Sequence, residues 1–198
     1  LEALAHEVDF LVLKGTAWAH TVYPEPHLRQ SGDIDLLVKD EDQAAAVEHL
    51  RESGWDIRGR AGQAGHGPKA SRRESGLGKA CLEVHSDLVP YREAWPVPSL
   101  RTIWDTQALA RLWGTQHRVC APAVAMLHSA TKVVMDLPVG HHRYVLDMMH
   151  IGAHEADTSK EAWELAGACG ARGIVWAAGT LAGAKAWPRQ APHLSARI

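Results

Sequence analysis

The sequence predicts an α+β fold, with strands and helices alternating over residues 1–98 and an all-helical part over residues 99–198. Three observations carry this reading. Short apolar runs bounded by Gly, Pro or acidic residues recur before residue 98, and such runs suit buried strands. Beyond it those runs stop, and Ala, Leu, Met and Trp recur at helical spacing. Hydrophobic residues make up 46% of the chain and charged residues 22%, so a sizeable core can form.

Residues 1–9 read as the end of a helix and FLVLK (10–14) as a buried strand. Gly15 breaks that run, and TAWAHTVY (16–23) takes up helical spacing. PEPHLRQSG (24–32) is a loop, because Pro24 and Pro26 resist regular structure. DIDLLV (33–38) is the next strand. DEDQAAAVEHLRES (40–53) opens with acids, which suit the positive end of a helix dipole, and it stops at Gly54. WDIRG (55–59) and KACLEVHSDL (79–88) are further strands. The segment between them, residues 60–78, is rich in Gly, Ser and basic residues, the composition of a long loop or hairpin tip. Five helical segments then follow: 103–113, 122–136 with Pro122 suited to a first helical position, 143–156, 159–170 and 173–187.

A formal net charge of −2 argues against a protein that coats nucleic acid through a generally basic surface. No apolar stretch approaches the length of a membrane span, so no membrane partner is expected. The N-terminus lacks a basic-then-apolar signal, and a chain opening on Leu1 is expected to be a trimmed piece. Cys81, Cys120 and Cys169 are widely spaced and form no CxxC pair, so neither zinc staples nor a disulfide framework is expected and a reducing cytoplasm is the default. Among 13 histidines, His150 and His154 lie four apart, and His141 and His142 are adjacent, but no third ligand has metal-site spacing. Trp104, Trp113, Trp163 and Trp176 fall at helical spacing and read as packing.

The chemistry concentrates in SGDIDLLVKD (31–40). On a strand, Asp33 and Asp35 share a face while Ile34 and Leu36 point into the core. Adjacent carboxylates repel, and desolvation adds to the cost; a divalent cation offsets both. In CLEVH, Glu83 stands between apolar Leu82 and Val84 and emerges from one sheet face. If the two strands are neighbours, three carboxylates converge. That number suits two metals roughly 3.5–4 Å apart, the arrangement that clamps attacking and leaving oxygens in phosphoryl chemistry. From spacing alone, solvated acids at a strand end explain the pattern equally well.

LVLKG, then YPEPHLRQSGDIDLLV, then LEVH resembles the nucleotidyltransferases of the DNA polymerase β superfamily. More narrowly, it is similar to a bacterial nucleotidyltransferase group with the pattern K-G, R-x-x-G-D-I-D-L-L-V and E-V-H. The superfamily pattern is Gly-Ser, then Asp-apolar-Asp, then a third acid on a later strand. Gly15 and Thr16 stand at Gly-Ser, Asp33 and Asp35 at the pair, and Glu83 at the third acid. Thr16 replaces Ser but keeps the hydroxyl, and the interval from Gly15 to Asp33 is longer than most of the superfamily has. The likeness covers residues 10–88 well and the remainder only in texture. It implies a mixed β-sheet of five or fewer strands with flanking helices. It also implies a nucleoside triphosphate such as ATP and two magnesium ions on the open face, with Asp33, Asp35 and Glu83 as catalytic metal ligands. The implied reaction is in-line attack by an acceptor oxygen on the α-phosphorus, with pyrophosphate leaving.

Around that core, Gly15 at a strand-to-helix turn lets backbone approach phosphate, and Thr16 offers a hydroxyl. Lys14 and Arg29 are the nearest cations in sequence and complete the expected nucleotide contacts. Lys69, Arg72 and Arg73 either fold over a triphosphate or form a solvated loop tip. His85 shares the face of Glu83, where it orients a carboxylate or meets the acceptor. His128 and Lys132, four apart, share a helix face that is the candidate acceptor wall, with a solvated stripe as the alternative. Arg143 and Asp147 are expected to pair along a helix face. The acceptor is expected to be a hydroxyl of a small molecule, peptide or protein, with RNA disfavoured for want of a basic stripe. Two other uses of the same acids stay open: a non-catalytic nucleotide-binding module, and a metal-dependent phosphohydrolase with water as acceptor.

Overall fold

Helix α1 (Glu2–Ala5) leads into strand β1 (Phe10–Leu13), four apolar residues that are all buried. A strand covered on both faces reads as a continuous apolar run rather than an alternating one. This structure, a computed structural model, describes residues 1–61, 67–74, 78–137, 140, 142–154 and 157–183. Helix α2 (Lys14–Thr21) follows β1 with no intervening loop. Then come β2 (Ile34–Val38), α3 (Gln43–Glu52), β3 (Asp56–Arg58), β4 (Lys69–Glu74) and β5 (Gly78–His85). Helix α4 (Leu100–Asp105) is capped by Ser99, whose Oγ accepts from the Thr102 backbone N–H at 3.0 Å. A hairpin of β6 (Ala108–Leu112) and β7 (Thr115–Val119) precedes helices α5 (Pro122–Met135), α6 (His142–His154), α7 (Thr158–Cys169) and α8 (Arg172–Leu181).

The sheet runs β3-β4-β5-β2-β1-β7-β6 and is mixed. Strand β1 pairs antiparallel with β2 and parallel with β7, while β2 pairs parallel with β5. The sheet therefore has seven strands, not five or fewer. Two additions make the difference. Lys69–Glu74 is a strand paired with β5, not loop, so Lys69, Arg72 and Arg73 sit on sheet; residues 62–66 and 75–77 lie outside the described residues. Residues 108–119, expected to begin as helix, form the hairpin instead. The all-helical reading from residue 99 therefore fails over that stretch, and the helix there ends at Asp105. Ala and Leu favour helix, but here they alternate between half-buried and exposed along a strand, and the two-residue turn Trp113–Gly114 closes the hairpin.

The chain divides into two compact units. The first takes Leu1–Arg92 and Gln107–Cys120, and so holds the whole sheet with α1, α2 and α3. The second takes Glu93–Thr106 and the described residues from Ala121 onward. Within it α5 is the central helix, packed against α6, α7 and α8. Pro122 begins α5, where its missing N–H costs nothing. Ser129 and Thr131 are fully buried on that helix and satisfy their hydroxyls on the carbonyls of Ala125 and Leu127, at 3.0 and 2.9 Å.

Candidate active site

Strands β2 and β5 run side by side in parallel, and their register sets Asp35 directly beside Glu83. Both carboxylates are buried, 6% and 5% exposed, which is costly for charge unless it is paired. The pairing is visible. Lys14 Nζ lies 2.8 Å from Asp35 Oδ1, and His85 Nε2 lies 2.7 Å from the same oxygen. Lys69 Nζ stands 3.3 Å from Glu83 Oε2, brought there by the β4–β5 register that faces Lys69 with Glu83. His85 Nε2 is also 3.3 Å from Lys14 Nζ and 3.9 Å from Glu83 Oε2.

Electrostatics separates the two aspartates. Burial alone would raise Asp35, but the His85 N–H and the Lys14 ammonium outweigh it and hold this carboxyl well below the usual range. Asp33, half-buried just before β2, is pushed up, first by burial and next by the negative charge of Asp35, against the opposing pull of Lys14. One residue apart, the two acids thus differ in proton affinity through their neighbours.

Lys14 reaches Asp35 through an unusual backbone. It is the first residue of α2 and has φ 50°, the left-handed region that side chains rarely adopt. The chain leaves β1 extended at Leu13 and turns into the helix at Lys14 itself, which returns the side chain to β2. Gly15 does not have a left-handed φ. Its missing side chain serves closeness instead: a Cβ there would stand 3.0 Å from both Arg29 Nη1 and Ser31 Oγ. Arg29 is only 8% exposed, and its Nη1 donates to the Gln30 carbonyl at 2.6 Å. Thr16 and Ser31 donate their hydroxyls to the Asp33 carbonyl, at 3.3 and 2.7 Å, and so shape the approach to β2.

A cavity of about 320 Å³ opens beside Asp33, lined among others by Thr16, Arg29, Ser31, Lys79 and Trp113. Ile34, expected in the core, is half-buried and lines this cavity, while Leu36, Leu37 and Val38 are fully buried. Among the described residues, the group whose ligand atoms approach within 4.8 Å is Asp35, Glu83 and His85. The donor set fits a divalent cation: two buried carboxylates in register already attract Lys14 and Lys69, and a third carboxylate, Asp33, stands at the cavity.

The structure thus gathers Lys14, Thr16, Asp33, Asp35, Glu83 and His85 in one unit, where Arg29 also packs close against Gly15. It does not bring out His128 as an acceptor contact. His128 is 1% exposed inside α5, so its place on the helix is that of a core residue. Lys132 reaches Asp136 at 2.9 Å and lies over the ring of Tyr144, which explains it as a helix-surface pair. Arg143 stacks on Tyr144, and Asp147 is fully buried. Sequence reasoning missed Ser31 and the direct grip of Lys14 on Asp35. It also read Trp113 as helix packing, whereas Trp113 lies in the β6–β7 turn.

Comparison with known proteins adds the family. The family model described as "Uncharacterised nucleotidyltransferase" matches residues 1–184. A nucleotidyltransferase-like antigenic protein from Paracoccidioides brasiliensis has a similar solved structure, 13% identical, with 90% of this chain and 87% of that one covered and a TM-score of 0.50. The antibiotic-resistance factor ANT(2'')-Ia is also similar, 14% identical, with 91% of each chain covered and a TM-score of 0.56. At such identities the likeness is one of fold. No curated protein matches the sequence.

Proposed function

Because the chain belongs to this nucleotidyltransferase family, we propose that it moves a nucleoside monophosphate from a nucleoside triphosphate to an acceptor hydroxyl, with magnesium as the metal. The observation that carries the proposal is the register of β2 and β5, which sets Asp35 and Glu83 side by side, with Asp33 on the wall of a cavity. The acceptor oxygen attacks the α-phosphorus and gives up its hydroxyl proton to solvent, the bond from that phosphorus to the bridging oxygen breaks, and its electrons leave with pyrophosphate. A magnesium ion held by Asp33, Asp35 and Glu83 would neutralise the charge that develops on the transferring group. The chain's own groups do the rest. Asp35 stays ionised because Lys14 and His85 favour its charged form. Arg29 and Lys79 line the cavity with positive charge suited to phosphate oxygens, and Thr16 supplies a hydroxyl at the head of α2.

A small-molecule, peptide or protein hydroxyl is the proposed acceptor, supported by a net charge of −2, which gives a polyanionic acceptor no overall attraction. Cytoplasmic residence is supported by the free thiols Cys81, Cys120 and Cys169. Among the described residues, no helix is long and apolar enough to cross a membrane.

The test is incubation with mixed nucleotides, magnesium and candidate acceptors, read by mass spectrometry and pyrophosphate release. Nucleotidyl transfer gives pyrophosphate and an acceptor heavier by one nucleotide unit. Nucleoside monophosphate alone would mean water is the acceptor, and unchanged nucleotide would mean a binding module. Asp35→Asn is expected to abolish turnover with the fold retained; full activity in that variant refutes the site assignment.

A further inference from the structure

Strand β6 meets β7 through a two-residue turn, with Leu112 facing Thr115 across it. Both turn residues are left-handed, Trp113 at φ 50° and Gly114 at φ 89°. This turn class takes Asn, Asp or Gly at its first central position, because those residues reach positive φ with little strain. A bulky indole there is an outlier that the surrounding structure must hold, and such outliers cluster at functional sites. Packing accounts for only part of Trp113. Its ring meets His20 of α2 at 5.5 Å and His117 of β7 at 5.7 Å between centroids, both edge-on, yet the residue stays 48% exposed.

Trp113 lines the cavity already described, and with Ile34, Thr115 and His117 it also lines a second cavity near the N-terminus. It shares the wall of the first with Asp33, Thr16, Arg29 and Lys79. Cations and a hydroxyl suit phosphate, the acid marks the reacting end, and the indole with Pro26 and Ile34 offers flat apolar surface. A ligand that satisfies all of these has an anionic chain and a planar ring. The volume, about 320 Å³, lies in the range of small-molecule clefts.

We propose that the indole of Trp113 is the stacking surface for the nucleobase of the triphosphate, an assignment that rests on the nucleotidyl-transfer reading. Stacking is tolerant of base identity, because every base has a π-face, so this contact supplies affinity rather than choice among bases.

The variant Trp113→Asn tests this, since Asn suits the turn and removes the ring. Binding of ATP and of inorganic tripolyphosphate is measured by calorimetry in wild type, Trp113→Asn and Trp113→Phe, without acceptor. ATP affinity is expected to fall about tenfold to a hundredfold in Trp113→Asn and to be largely kept in Trp113→Phe. Tripolyphosphate, which has no base, is expected to bind all three equally. Equal ATP affinity in wild type and Trp113→Asn overturns the proposal. So does a matching loss of tripolyphosphate affinity, which would mean that the whole cavity had been disturbed. Ring-dependent ATP binding without any transfer product would leave Trp113 in place and sink the transferase reading instead. Transfer activity with unaltered ATP binding in Trp113→Asn would do the reverse.

Discussion

Lys14→Met should destabilise the protein while leaving its shape alone, and the size follows from burial. The Lys14 and Asp35 side chains are 16% and 8% exposed, with Nζ and Oδ1 at 2.8 Å. Removing one partner of such a pair leaves an uncompensated charge and costs about 3–5 kcal/mol. Asp35 keeps His85 at 2.7 Å, so the low end, about 3 kcal/mol, is expected. That is a large part of a typical total of about 5–15 kcal/mol. In urea it moves the midpoint down by about 1–3 M, given slopes of about 1–3 kcal/mol per molar. The double variant Lys14→Met/Asp35→Asn removes both charges and should recover most of the loss, which separates charge from packing. A midpoint for Lys14→Met equal to that of wild type, or a double variant no more stable than Lys14→Met, refutes the reasoning.

Gly15→Val should destabilise the fold by an overpacking cost of about 1–3 kcal/mol, read as a lower melting temperature, and weaken nucleotide binding, because its Cβ would meet Arg29 Nη1 and Ser31 Oγ at 3.0 Å. Unchanged melting and calorimetry would mean that Arg29 swings aside freely. Asp33 should titrate lower in Asp35→Asn than in wild type, since that change removes the negative neighbour that helps to raise it. Carbon-detected carboxyl titration by NMR checks this, and an unmoved Asp33 would show that the two acids are not coupled.

The candidate carboxylate cluster was legible in part, because alternation makes two claims that a sequence can carry. Asp33 and Asp35 stand two apart, so a strand there would put them on one face, and Glu83 interrupts an apolar run between Leu82 and Val84, although it lies buried beside Asp35. What no spacing reveals is the register that puts Asp35 opposite Glu83, since that depends on which strands become neighbours. Strand β4 stayed hidden because its buried side carries a small residue, Ala70, within an otherwise polar and basic segment. The hairpin over 108–119 stayed hidden because Ala and Leu carry no strand signature and a Trp-Gly turn is not one of the favoured pairs. His128 shows the limit of helical spacing. Four-residue separation from Lys132 places both on one face, but the pattern does not say that the face at His128 meets the core.

Backbone strain does not mark function by itself. Among the described residues three non-glycine residues are left-handed, Lys14, Tyr91 and Trp113, and Tyr91 is exposed and outside the lining of the cavity beside Asp33. What distinguishes the other two is where their side chains end. The left-handed turn at Lys14 sends an ammonium onto a buried carboxylate that would otherwise lack its strongest positive neighbour. The one at Trp113 leaves an indole half in solvent on the wall of the cavity that holds Asp33. Each position would be easier for Gly or Asn, and each would then lose a group with a definite place at the site. Local stability is given up at both positions: one side chain ends on a buried carboxylate of β2, the other on the wall of the cavity beside Asp33.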